Sequence, residues 1–192
     1  MIQVVHDLFA NTALRKALYR ARYPLAVLLL LPLARYMQPQ WLATAFAISM
    51  AGQLIQTWCF ASLVKNRELT VRGPYRLVRN PMYLGRFLML LGFVLLLANP
   101  IALAVYAVVY YLYMVNRVRR EERRLRKKFT GSFEEYCRNV NRFVPSLRGS
   151  GDRSVWFFDW GMFRENNAHW NILLTLAAYA ALYLIGEADL FR

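Results

Sequence analysis

Pro81-Met-Tyr-Leu-Gly-Arg-Phe-Leu-Met-Leu-Leu-Gly-Phe-Val-Leu-Leu-Leu-Ala98 runs straight into Asn99-Pro100, and Ile101-Ala-Leu-Ala-Val-Tyr-Ala-Val-Val-Tyr-Tyr-Leu-Tyr-Met-Val115 follows. A helix needs about 20 mostly apolar residues to cross a bilayer. Residues 82–98 and 101–115 approach that length, and Asn-Pro alone separates them. So short a link returns the chain beside itself, which predicts an antiparallel helical hairpin in a membrane.

The same pattern recurs outward from the hairpin. Residues 23–36 form a short apolar stretch containing Pro24 and Pro32, residues 41–64 a long one containing Gln53 and Gln56, and residues 170–185 a further one. The expected fold class is therefore all-α: a polytopic helical membrane protein with about five transmembrane helices. In residues 3–22, Val4, Val5, Leu8 and Phe9 alternate with polar positions before Arg15, Lys16, Arg20 and Arg22, which reads as an interfacial helix. No apolar core precedes His6, Asp7, Arg15 and Lys16, so no cleavable leader is expected.

Composition agrees. Of the 192 residues, 58% are hydrophobic, and mean hydropathy is +0.24. The net charge of +14 would suggest nucleic acid in a soluble protein. Here the basic residues lie between apolar runs, so anionic lipid headgroups are the expected counterpart and nucleic acid is not. With the N-terminus in the cytosol, only Arg35 and Arg192 fall on the outer side, and every other Lys and Arg lies at or inside the cytosolic face. Cys59 and Cys137 sit in an apolar run and a basic cytosolic segment, so no disulfide is expected. Trp156, Phe157, Phe158 and Trp160 read as an interfacial aromatic belt.

Two cytosolic segments carry more pattern than anchoring requires. In 72–85, Gly73-Pro74 forces a turn and Asn80-Pro81 opens a helix, with Asn80 as expected N-cap and Arg76 and Arg79 beside it. A helix start between arginines suits a carboxylate or phosphate. A plain capped helix with arginines on lipid phosphates gives the same pattern. In 116–129, the fourth helix should continue, placing Arg117 and Glu121 four residues apart on one face. Glu121 and Glu122 are the only acids among many bases there, suited to a cationic ligand group or to internal ion pairs. The two histidines, His6 and His169, stand at opposite ends of the chain, and no metal-ligand spacing, nucleophile elbow or Gly-rich nucleotide loop occurs.

Together these segments resemble the isoprenylcysteine carboxyl methyltransferase and phospholipid methyltransferase family. The resemblance rests on Gly73-Pro74-Tyr75-Arg76, Arg79-Asn80-Pro81-Met82-Tyr83-Leu84-Gly85, the hairpin, Glu121-Glu122, Leu125, Phe129, Phe133, Tyr136 and Arg142-Phe143-Val144-Pro145. It covers about residues 67–146. The family usually has Arg-His-Pro where this chain has Arg79-Asn80-Pro81, and Asn cannot become a cation. The span after Pro145 also departs from many relatives.

The resemblance implies S-adenosylmethionine as cofactor, in a cytosolic pocket over the membrane. It implies cofactor contacts from Leu69, Val71, Tyr75, Arg79, Asn80, Tyr83, Glu121, Glu122 and Arg142. Arg79 and Asn80 would hold the methionyl carboxylate, a Glu its ammonium, and Arg142 would close the pocket. Arg117 and Glu121 are the implied catalytic residues, orienting an acidic, lipophilic, membrane-embedded acceptor. The organisation follows: interfacial helix 1–22, two spans in 23–66, methyltransferase core 67–146, and aromatic segment with fifth span 147–192. The expected setting is a bacterial or archaeal inner membrane, N-terminus cytosolic and C-terminus outside, with membrane lipid as partner. Rival readings are a phospholipid amine N-methyltransferase, a nicotinamide-dependent sterol-type reductase, and a non-enzymatic lipid-binding membrane protein.

Overall fold

The computed structural model describes residues 21–64, 67–146 and 151–188. Nearly all of the expected interfacial helix lies outside the described residues. The described chain contains helices and no strand: α1 Arg22–Tyr36, α2 Leu42–Ser62, α3 Pro81–Leu95, α4 Pro100–Lys128, α5 Ser132–Asn139, α6 Trp160–Glu165 and α7 Ala168–Glu187, with short 3-10 turns at Pro39–Trp41, Gly73–Arg76 and Arg153–Trp156. The helical fold class is as expected. Helices α4 and α7 are long and apolar enough to cross a membrane, and α3 is a shorter apolar helix. Helix α2 has 21 residues, but its buried Ser49, Gln53, Gln56 and Thr57 make it more polar.

The hairpin forms where the Asn-Pro link predicts. Helix α3 stops at Leu95, short of Ala98, because the chain turns through Leu97 and Ala98, whose amides donate to the carbonyls of Val94 and Leu95. Asn99 Oδ1 then accepts from the amides of Ile101 and Ala102 at 2.9 and 3.1 Å, and Pro100 supplies the first position of α4. Two tyrosines lock the hairpin: Tyr110 Oη donates to the Tyr83 carbonyl at 2.6 Å and Tyr106 Oη to the Phe87 carbonyl at 2.7 Å.

Helices α2 and α3 approach closely because glycines leave no side chain between them. A Cβ on Gly52 would lie 2.3 Å from the Met89 amide nitrogen, and one on Gly92 would lie 2.3 Å from the Ala45 carbonyl oxygen. Where apolar burial gives little drive between helices, small residues permit the close contact that does. Helix α7 joins through polar groups: Tyr179 Oη lies 2.7 Å from Ser49 Oγ and 3.0 Å from the Ala45 carbonyl. Ala34, Met37, Ala45, Leu96, Tyr179 and Leu182 close an apolar cluster at this end.

At the opposite end, the chain after residue 150 wraps the C-terminus of α2. The Phe157 carbonyl accepts from Trp58 Nε1 and Ser62 Oγ, each at 3.1 Å. Asn166 Nδ2 donates to the carbonyls of Phe60 and Leu63 at 2.8 and 2.9 Å, satisfying groups that a helix end leaves without intrahelical partners. Arg72 stacks 4.3 Å from the Phe157 ring centroid, and Arg76 pairs with Asp152 at 2.7 Å. These contacts fix the loop that joins α2 to α3.

Candidate functional site

Helix α4 continues unbroken through its basic extension, a length of about 43 Å at 1.5 Å per residue. Its polar end stands over the start of α3 and the loop at 67–76. Between them lies a cavity of about 300 Å³. Leu69, Tyr75, Arg79, Asn80, Tyr83, Arg117 and Glu121 line it together.

The adjacent glutamates part company. Glu121 faces the cavity and accepts from Tyr83 Oη at 2.7 Å, while Arg117 lies within hydrogen-bonding reach of the same hydroxyl. Glu122 turns inward and is buried. Its carboxylate takes Arg142 through Nε at 3.2 Å and through a second, very close contact from the Arg142 terminal nitrogen. Arg79 stands 3.4 Å from the same carboxylate, and Asn80 Nδ2 donates to it at 3.2 Å. The hydrogen bond to Glu122 is the main reason that the Arg142 guanidinium holds its proton more firmly than a free arginine.

Asn80 occupies the N-cap position of α3 but does not cap it with its side chain. Nδ2 donates instead to Glu122 and to the Arg142 carbonyl, each at 3.2 Å. This corrects the expected cap. The side chain is drawn to an ionised acceptor from α4, and hydrogen bonds to charged groups are the stronger kind. Arg79 and Arg142 flank the same Glu122 carboxylate.

Glu122 and Arg142 thus stand behind the cavity wall rather than in it, and Val71 lines a separate hollow of about 780 Å³ on the far side of Leu69 and Tyr136. Arg79 Nε is buried with no hydrogen-bond partner among the described residues, although its terminal nitrogen reaches Glu122. A donor left so is available to a bound anion. Tyr136 Oη donates to the Tyr75 carbonyl at 2.6 Å, and burial pushes both phenols well above their usual range, so they stay neutral at physiological pH.

Sequence reasoning missed part of the lining. Arg124, Leu125 and Lys128 lie seven, eight and eleven residues after Arg117, on the same helical face, and extending the Arg117–Glu121 periodicity would have found them. Phe60, Leu63 and Val64 enter from the end of α2, and no local signal marks them. On the outer face of the hairpin, Leu84, Phe87, Ala107, Tyr110, Tyr111 and Met114 with Phe143 line an apolar groove of about 270 Å³. Asn80 lines both this groove and the polar cavity. Among the described residues no cluster of His, Cys, Asp and Glu is arranged to hold a metal ion.

Fold and site define a helical chain with membrane-length helices and a polar cavity at the end of a helical hairpin. Residues 39–132 match the family model described as phospholipid methyltransferase. The match runs from the turn before α2 to the first residue of α5, just under half of the chain, and over it the resemblance read from the motifs is shown. The family is one of methyltransferases acting on lipid-related substrates. No curated protein and no solved structure matches the chain.

Proposed function

We propose that the protein transfers a methyl group from S-adenosylmethionine to a carboxylate on a lipophilic acceptor at the cytosolic face of a membrane. The observation that carries this reading is the convergence of Arg79, Tyr83, Arg117 and Glu121 on one cavity inside the family-matched stretch. The cavity fits such a cofactor. About 300 Å³ is at the lower end for a small-molecule pocket, and a second hollow adjoins it across Leu69, Phe129 and Tyr136. Arg79 Nε offers an unclaimed donor for the methionyl carboxylate, Glu121 an acceptor for the ammonium, and Tyr75, Phe129 and Tyr136 flat surfaces for the base.

The bound sulfonium supplies an electrophilic methyl whose leaving group is already cationic. Acid and base assistance is then secondary for a carboxylate nucleophile, and alignment with exclusion of water carries the rate. Arg117 orients the acceptor, and Tyr83, donating to Glu121, holds Arg117 in register. The apolar groove at Asn80 offers the acceptor's hydrocarbon a path to the polar cavity from the lipid side.

The amine reading keeps a specific support: the matched family is described by phospholipid methylation. In that reaction Glu121 would take the ammonium proton. The proposed setting is an inner membrane, with α1, α2, α3, the first half of α4 and α7 as spans. The proposed organisation keeps 67–146 as the catalytic core, followed by the aromatic segment and fifth span. Calorimetry on detergent-purified protein tests the cofactor: S-adenosylhomocysteine binds and NADPH does not. The reverse pattern would move the protein to the reductases, and binding of neither would leave a lipid-binding role. Labelled methyl donor with a lipid extract then identifies the acceptor, base-labile label marking an ester and base-stable label an amine.

A further inference from the structure

We propose that Arg86 and Arg117 form an anion site at Tyr83, selecting acceptors that carry an acidic oxygen group at or beside the methylated position. The inference rests on the methyl-transfer reading and adds a residue that none of the motifs contains. Arg86 lies in the second turn of α3 and lines the same cavity as Arg117. Its guanidinium stands 5.8 Å from the Tyr83 ring centroid, while Arg117 approaches the Tyr83 hydroxyl. One cation therefore stands over the face of the ring and the other at its hydroxyl.

Position makes Arg86 unusual. Five residues past the start of α3, its Cα sits about 7.5 Å along the helix axis. At that level α4 is still apolar, since Tyr106 and Tyr110 bond to Phe87 and Tyr83 on either side of Arg86. An arginine at membrane depth is costly and keeps its charge, so a partner is expected. The ion pairs among the described residues involve Arg72, Arg76, Arg79, Arg126 and Arg142, and none involves Arg86. Neither carboxylate of the cavity forms an ion pair with Arg86: Glu68 pairs with Arg72 at 2.8 Å, and Glu121 accepts from Tyr83. What completes Arg86 is an anion from outside the chain. A carboxylate on a lipophilic acid and the phosphate of a phospholipid share that chemistry.

The test uses full-length protein in neutral detergent and four single-chain probes: dodecanoate, dodecyl phosphate, dodecylamine and dodecanol. Binding is followed by tryptophan fluorescence. The parent protein is expected to bind at least one anionic probe tenfold or more tighter than the amine and the alcohol. Arg86→Gln should lose that preference, keep its affinity for dodecanol and keep its affinity for S-adenosylhomocysteine, which also reports an intact fold. Arg86→Lys should retain part of it. Preference for dodecanoate identifies a lipophilic acid, and preference for dodecyl phosphate a lipid headgroup; either supports the site. An anion preference undiminished in Arg86→Gln overturns the proposal. So does a loss of S-adenosylhomocysteine affinity in that variant, which would assign Arg86 to the cofactor. A parent protein that ignores S-adenosylhomocysteine but prefers anions would sink the methyl-transfer reading and leave the anion site standing.

Discussion

Replacing Glu122 by Gln should destabilise this protein and leave ligand affinity largely intact, and replacing Glu121 by Gln should do the opposite. Glu122 is the common acceptor for Arg79, Asn80 and Arg142. The Glu122 side chain is 7% exposed, that of Arg79 14% and that of Arg142 41%. Removing one member of a buried ion pair costs about 3–5 kcal/mol, because the other charge stays buried. Arg142 can turn to water and escape most of that cost, but Arg79 cannot, so a value near the lower end, about 3 kcal/mol, is expected. For a chain of this size that corresponds to a fall in Tm of about 6–12 °C. Glu121 is exposed and loses only one hydrogen bond to Tyr83, so its Gln variant should fall by less than about 1 kcal/mol. It should instead lose about tenfold or more in affinity for S-adenosylhomocysteine, the effect of one charge-assisted hydrogen bond. Thermal unfolding in detergent and calorimetric titration measure the two quantities on the same samples. A stable Glu122→Gln with weakened ligand binding, beside a Glu121→Gln that binds normally, would refute the division of labour between the two carboxylates.

Asn80→Asp sets a second carboxylate beside Glu122 and should destabilise more than Asn80→Ala, which loses two donated hydrogen bonds at about 1–3 kcal/mol; Asn80→His keeps a donor and should be the mildest of the three, all read as Tm. Gly52→Val should abolish folded protein on size-exclusion chromatography, since even a Cβ meets backbone at 2.3 Å, whereas the same change at exposed Gly151 should be silent. A reporter fused after Arg192 should read as non-cytosolic, and a cytosolic signal would remove the fifth span or the orientation. The Ser154 amide holds the Asp152 carboxyl below its usual range, so the Arg76 contact persists through mild acid and is lost only in stronger acid than a free aspartate would need; protection of the loop at 67–76 in hydrogen exchange should outlast the titration of ordinary carboxylates as pH falls.

How much was legible follows from the range of each interaction. The hairpin could be read because Asn99 and Pro100 act on their own neighbours, and the α4 extension because nothing in 116–128 breaks a helix. The cavity residues of the two polar segments were legible through their motifs. The capping role of Asn80 was misread because its acceptor, Glu122, lies 42 positions away, and local rules cannot see a competing carboxylate. The parting of Glu121 and Glu122 is a matter of 100° of helical rotation, which the sequence contains but cannot orient until α3 is placed. Arg86 is one charge in an apolar run, and only the placed helices show that it pairs with no carboxylate among the described residues. The wrapping of α2 by residues beyond 150 depends on carbonyls, which carry no sequence signature at all.

That wrapping has a consequence in time. The groups that fix the loop over the cavity are separated by 99 positions between Trp58 and Phe157 and by 106 between Asn166 and Phe60. During synthesis the family-matched stretch leaves the ribosome well before Asn166 does, and its helices can insert and pair while the carbonyls of Phe60 and Leu63 still have no partner. The loop beside the cavity is fixed only when residues 157–166 follow. A chain stalled or clipped before Asn166 would hold the motifs at 72–85 and 116–129 and still lack the contacts that tie the end of α2, so a settled loop at 67–76 becomes a mark of a chain extended past Asn166.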